Sequence, residues 1–377
     1  MISPDQTALL ELLKASLYKQ EPRFPSEIEW DNVLDIAKKQ AIVPLAEYSV
    51  PDEYKDAWKA DTFKCKCHYI RVLYEQDRVV QLFLEHNIPT VILKGSSASM
   101  YYPVPSCRPM GDVDVLVSVE RYEEAKKLLV ELGYHFLKED YRNSTFFRNG
   151  IEIELHYHFS AEEKDIEHYI SDGLKNAVQY TIENYSFPGL PRNINGLMLL
   201  EHVRQHLVRS GLGLRQIIDW MMFVHSGLDD KAWITEFRGM TQETGLETLA
   251  VTLTYMCRKW LGLPDKITWC NKADDELADM LLMRILDDGN FGKGTPVSEN
   301  TIRQLKKKSA IGYLQKAGLA HWENAKKYPI LRPIAWLYQL GRYVRKGVSA
   351  LLQGENVFRG FRTSTEKAAL LKRLEIE

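Results

Sequence analysis

Cysteine is scarce and unpaired in this chain: there are five in 377 residues, and the nearest two, Cys65 and Cys67, form a C-x-C. An odd, scattered set excludes a disulfide framework. Positions two apart on a helix point about 200° from one another, which makes that pair a poor start for a metal site. We read all five as reduced thiols and expect a cytoplasmic protein. No apolar run reaches the roughly 18 residues of a membrane span. The leading MISPDQTALLELLKASLYKQ has no apolar core behind basic residues, so a soluble, unprocessed chain without a membrane partner is expected. A dominant charge sign is also missing. Lys plus Arg number 49 against 51 Asp plus Glu, a net charge of −2, which argues against a dedicated nucleic-acid binder. A phosphate loop of the G-x-x-x-x-G-K-[ST] kind is absent too; GNFGKG, starting at Gly289, lacks that spacing and a preceding strand, and reads as a turn ending a helix.

What the chain does have is an ordinary globular balance, 45% hydrophobic and 27% charged, and enough length for two or three domains. Residues 1–88 read as a helical region, with apolar stripes such as Val33, Leu34, Ala37 and Ile70, Leu73, Val79. From Ile88 the pattern changes. IPTVILKG is a short apolar strand ending at Gly95, and SSASMYY is a permissive helix start with Ser96 or Ser97 as its cap. DVDVLV alternates strictly, and VSVERYEEAKKLLVELGY is an amphipathic helix capped by Ser118 and stopped at Gly133. In TFFRNGIEIELHYHF the pair Asn149-Gly150 separates two alternating runs, a strong hairpin signal. Residues 89–190 therefore read as a small mixed α/β sheet domain, and 191–377 as a C-terminal helical domain. The expected class is α+β, a mixed sheet core flanked by helices.

The chemistry concentrates on the sheet. Residues two apart on a strand share a face, so Asp112 and Asp114 project together, with Leu116 beside them and Val113, Val115 and Val117 behind. Two crowded carboxylates repel unless something pairs with them, and a cation is the obvious partner. Hard oxygen donors with no His or Cys at hand suit Mg²⁺ or Mn²⁺, usually held with substrate phosphates in enzymes that act on nucleotides. Glu152, Glu154 and His156 share a face of the second hairpin arm. If that arm lies beside the DVD strand, Glu154 becomes a third acid, able to help clamp an in-line displacement or take a proton. At the Gly95-Ser96 turn the backbone can approach an anion, and Lys94 and Arg108 are the nearest cations for a triphosphate.

A G-S turn, an acid-apolar-acid strand and a third acid on a later strand resemble the nucleotidyltransferase superfamily that includes DNA polymerase β. Within it, LKG, YP, RPMGDVDVLV, ELH, GLRQIIDW and GNFG are similar to an uncharacterised bacterial family of nucleotidyltransferase-like proteins, over about residues 30 to 295. The resemblance implies transfer of a nucleoside monophosphate from ATP or another NTP to an unidentified acceptor, a small molecule or a protein. It implies that Asp112 and Asp114 hold the metals and that Glu154 is the third acid. Two features depart from the usual pattern: the third acid is often Asp, and the YYPVPSCRP loop stretches the G-S to D-x-D spacing. The alternative is a catalytically silent nucleotide-sensing or partner-binding module of the same fold.

Other residues carry open readings. His156 either touches phosphate or is a buried histidine paired with an acid. His202 and His206, one turn apart, lack a third ligand at matching spacing, so zinc is not expected. His206, Arg215 and Asp219 recur in the resemblance, as an interhelical ion-pair network or as the acceptor side of the cleft. Lys306 to Lys308, and Arg342, Arg345 and Lys346 near Trp336 and Tyr343, read as solvated helix faces ahead of an RNA or membrane patch.

Overall fold

The structure, a computed structural model, describes residues 2–140, 142–159, 166–209, 211–290, 322–352 and 357–376, together with 312, 314–315 and 318–319. Four helices come first: α1 (Pro4–Tyr18), α2 (Trp30–Gln40), α3 (Val43–Glu47) and the long α4 (Lys55–Glu85). The sheet region then runs β1 (Thr90–Leu93), α5 (Gly95–Ser99), β2 (Val113–Val117), α6 (Tyr122–Glu131), β3 (His135–Glu139), β4 (Asn143–Arg148) and β5 (Ile151–His156). It closes with α7 (Glu167–Lys175), β6 (Val178–Ile182) and β7 (Tyr185–Gly189). Helices α8 (Arg192–Arg209) and α9 (Leu214–His225) follow, then short helical turns, Glu247–Leu261, Asp275–Asp288 and two C-terminal helices, Ala335–Leu352 and Val357–Arg373. The class is α+β, as the alternation of patterns implies. Among the described residues no helix is long and apolar enough to cross a membrane.

The seven strands form one mixed sheet in the order β3-β4-β5-β2-β1-β7-β6. The β4–β5 hairpin turns at Asn149 (φ 50) and Gly150 (φ 78), the left-handed pair that a two-residue hairpin turn needs. A parallel pairing sets β5 beside β2, with Val113 opposite Ile153 and Asp114 opposite Glu154. On the other side β1 runs antiparallel to β2 and puts Leu93 opposite Asp114.

Strand alternation sorts the sheet's two faces into two cores. Ile92, Val113, Val115, Val117, Ile153 and Leu155 pack against α4 and α6. Val91, Leu93 and Leu116 belong to the other core, which also holds α1–α3 and the helices from α8 onward. The acids at 112, 114 and 154 share the phase of Leu116, so they face the helical layer and not solvent. All five cysteines are free thiols, and Cys107, Cys257 and Cys270 are buried.

Three local readings need correction. Ser118 makes no capping bond, and a 3-10 turn at Val119–Arg121 precedes α6. Lys94, not a serine, occupies the N-cap of α5, which has no side-chain cap. Strands β3, β6 and β7 join the sheet although no alternation or turn signal marked them. Of GNFGKG only Gly289 and Asn290 are described, with Gly289 ending a helix at φ 66; the rest of that motif and Lys306–Lys308 lie outside the described residues.

Candidate active site between the sheet and the helical layer

A cavity of about 260 Å³ opens between the N-terminal end of β2, with the C-terminal end of β1 and Glu154 of β5 beside it, on one side and α8–α9 on the other. Asp112, Asp114 and Glu154 line it from the sheet, with Lys94 and Gly95 from the β1–α5 elbow. His202, Gln205, His206 and Arg209 of α8, and Arg215 of α9, line the opposite wall. The parallel register is what brings Glu154 level with Asp114; Glu152, one pleat back, is exposed. All three acids expected at the site thus border one cavity.

The crowding has partners that were not foreseen. Lys94 Nζ donates to Asp114 Oδ1 at 2.8 Å, and His156 Nε2 lies 2.9 Å from the same oxygen. His156 Nε2 is also 3.4 Å from a Glu154 oxygen. Asp114 Oδ2 accepts no hydrogen bond among the described residues. A histidine thus does stand beside the acids, against the expectation of a pure oxygen set. The residues whose ligand atoms lie within 4.8 Å of one another are Asp114, Glu154 and His156, while Asp112 borders the same cavity outside that trio.

Lys94 reaches Asp114 from a strained backbone, with φ 50 and ψ −134. A non-glycine residue there costs about 1–3 kcal/mol, which the surrounding structure must over-determine. The strain turns the chain sharply between β1 and α5 and presents the ammonium to the carboxylates.

Charge states follow from this geometry. Burial first, then the charge of Asp114, pushes Asp112 up to about 6, with Lys94 acting against both. Burial also disfavours the charge on Asp114, but Lys94 and His156 outweigh it and hold that carboxyl well below the usual range. Burial likewise opposes a charged His156, yet hydrogen bonds to Asp114 and Glu154 prevail and raise its pKa. On the far wall, burial and neighbouring cations lower His206 to about 3 and His202 well below its usual value. These two rings favour the neutral form, and their Nε2 atoms lie 2.8 Å apart, within hydrogen-bond distance of each other.

Not every expected residue faces the cavity as read. Arg108 borders it, but its guanidinium is engaged by a buried fork to Asp219, at 2.6 and 2.7 Å. Tyr102 donates to the same Asp219 at 2.6 Å, so the 101–112 loop is tied to α9 at both ends. The Ser96 hydroxyl turns away and donates to Gln76 of α4 at 2.6 Å, and Ser97 donates to the Lys94 carbonyl at 2.7 Å. Arg215 donates to the Pro109 carbonyl at 3.1 Å and also lines the cavity, while Asp219 is paired with Arg108 of the loop and not with a residue of another helix. Arg142, Gln205 and Arg209 were missed. For the last two a signal existed: His202, Gln205, His206 and Arg209 recur at i, i+3, i+4 and i+7, a polar stripe on an otherwise apolar helix.

A mixed sheet carrying paired acids toward a cation-walled cavity defines a class of site suited to phosphate esters with a divalent ion. The family match is consistent with that class. The model of a family described as uncharacterised nucleotidyltransferase matches residues 26–262, and the chain belongs to this family. The match ends at Gly262, short of the GNFG stretch. No curated protein matches the chain. Among solved structures it is similar to an antigenic nucleotidyltransferase-like protein from Paracoccidioides brasiliensis, with 14% identity and a TM-score of 0.35. That alignment covers 52% of this chain and 94% of the other, a distance at which nothing further is carried over.

Proposed function

We propose that the protein is a Mg²⁺- or Mn²⁺-dependent enzyme that moves a nucleoside monophosphate from an NTP to a hydroxyl of a small-molecule or protein acceptor. One observation carries the reading: Asp114 and Glu154 stand opposite each other on parallel strands, with Asp112 two residues before Asp114, at a cavity walled by Lys94 and Arg215. The donor chemistry fits a hard divalent ion, since Asp114 and Glu154 bring ligand atoms together, Asp112 borders the same cavity, and Asp114 Oδ2 accepts no hydrogen bond among the described residues. When bound, such an ion would neutralise phosphate charge and polarise the reacting phosphoryl group.

The chain's own residues have distinct tasks. Asp112 and Asp114 are the primary carboxylate ligands, and Glu154 completes the set or accepts the acceptor hydroxyl's proton. Lys94 supplies positive charge that can pass from Asp114 to an incoming phosphate, and His156, whose hydrogen bonds to Asp114 and Glu154 favour its charged form, stands beside it. Gln205 and Arg209 on α8, with Arg215 on α9, form the wall that receives the rest of the substrates.

The test is incubation with α-labelled NTPs, Mg²⁺ and cell extract. Label on a discrete product, lost in Asp112→Asn and Asp114→Asn, supports transfer; label unchanged by either substitution refutes it. A second reading, a silent nucleotide-binding module, is favoured by the Lys94 and His156 contacts that satisfy Asp114 Oδ1 without metal. Nucleotide binding by calorimetry without any label transfer would select it.

A further inference from the structure

The stretch from Tyr328 to Gly354 contains Arg332, Arg342, Arg345 and Lys346 and no acidic residue, in a chain with 51 of them. It forms a 3-10 turn, Pro329–Ile334, running into the helix Ala335–Leu352. Its packing is inverted relative to an ordinary surface helix. The side facing the protein holds Ala335 and Gln339, both buried, whereas the open side carries Ile330 at 86% exposure, Leu337 at 49% and Val344 at 59%. Ile334 and Leu340 are exposed as well. Arg332 and Arg345 are exposed on the same segment, and Tyr338, stacked on Trp322 at 5.0 Å, and Tyr328 bring aromatic rings to its margin.

We infer that this segment is a docking surface for anionic lipid: the helix lies in the headgroup plane, its aliphatic side immersed and its cations on lipid phosphates. An apolar stripe bordered by Arg and aromatic residues, on a helix too short and too charged to span, has the composition of an interfacial helix. Charge complementarity chooses among occupants. RNA would use the cations but leave the aliphatic side chains in water. A second copy, paired isologously through this stretch, would bury the aliphatic side chains but offer its cations no acid, since the stretch has none. Of these three occupants, the anionic bilayer matches both halves of the surface. This departs from the expectation of no membrane partner, which rested on the absence of a spanning run.

Co-flotation of the full-length protein with vesicles tests it, comparing phosphatidylcholine alone with phosphatidylcholine plus phosphatidylglycerol. The expected result is binding to the anionic vesicles only, weakened by high salt. Each exposed cation removed should weaken it roughly fivefold, so Arg332→Gln with Arg345→Gln lowers it by more than tenfold. Leu337→Asp with Val344→Asp should abolish it while circular dichroism and the unfolding midpoint stay unchanged. The inference is overturned by no binding, by equal binding to neutral vesicles, or by binding that survives the aspartate pair. It is equally overturned if the protein runs as a dimer in solution that the aspartate pair converts to a monomer.

Discussion

Replacing Asp112 with Asn should make the metal-free protein more stable, an unusual direction for a substitution at a half-buried polar position. Burial and the charge of Asp114 raise Asp112 from 3.8 to about 6, so the folded state resists the ionised form. For an acid raised on folding, the cost is absent while both states are protonated, grows as pH rises from the unfolded value, and is complete above the folded one. A shift of that size corresponds to about 3 kcal/mol. Solvent access to a half-buried side chain brings the expected gain to about 2 kcal/mol at pH 7.5. By the same linkage it should shrink by roughly half at pH 5. The assay is denaturant unfolding of wild type and Asp112→Asn in chelator at the two pH values. Adding Mn²⁺ and a non-hydrolysable NTP should then stabilise wild type, by about 2.7 kcal/mol at a hundredfold excess over the dissociation constant, and leave the variant unmoved. A variant less stable than wild type at pH 7.5, or one that gains equally from the ligands, refutes the reasoning.

The neighbouring acid should behave in the opposite way. Asp114→Asn strands Lys94 and His156 beside a neutral amide and should destabilise the protein by about 3 kcal/mol, read by the same unfolding assay. Asp219→Asn removes the buried fork to Arg108 and should cost about 3–5 kcal/mol, with faster proteolysis in the 101–112 loop as the second readout. Affinity for Mn²⁺, followed by calorimetry, should fall as pH drops through about 6, where Asp112 takes up its proton. Gly196→Ala would drive a methyl group into the Phe223 ring where α8 meets α9, and should lower stability by about 1–3 kcal/mol in thermal unfolding.

The parts of the fold that could be read in advance were those with a local signature. Strict alternation identified β2, the Asn149-Gly150 turn identified β4 and β5, and apolar periodicity marked the long helices. Strand β3 escaped because it is an exposed edge, HFLKE, with no buried side to set an alternation. The β6–β7 hairpin escaped because Glu183, at φ 52, stands where Asn or Gly usually announces such a turn. The site divides in the same way. The phase of the acids follows from a period of two, so their common face was legible. The partners of Asp114 were not, because a backbone twist at Lys94 and the pairing of β2 with β5 decide which side chains meet. The fork from Arg108 to Asp219 joins residues 111 apart in sequence, and no local pattern could distinguish a committed arginine from one available to phosphate.

The central claim is that Asp112, Asp114 and Glu154 together hold a divalent ion and the nucleotide it carries. Anomalous diffraction from a crystal soaked with Mn²⁺ and a non-hydrolysable NTP tests it most directly. The prediction is a manganese peak within bonding distance of Asp114 and at least one of the other two acids, with the triphosphate running toward Lys94 and Arg215. A peak elsewhere, or nucleotide bound while Lys94 and His156 still occupy Asp114 and no metal lies between the carboxylates, would contradict it.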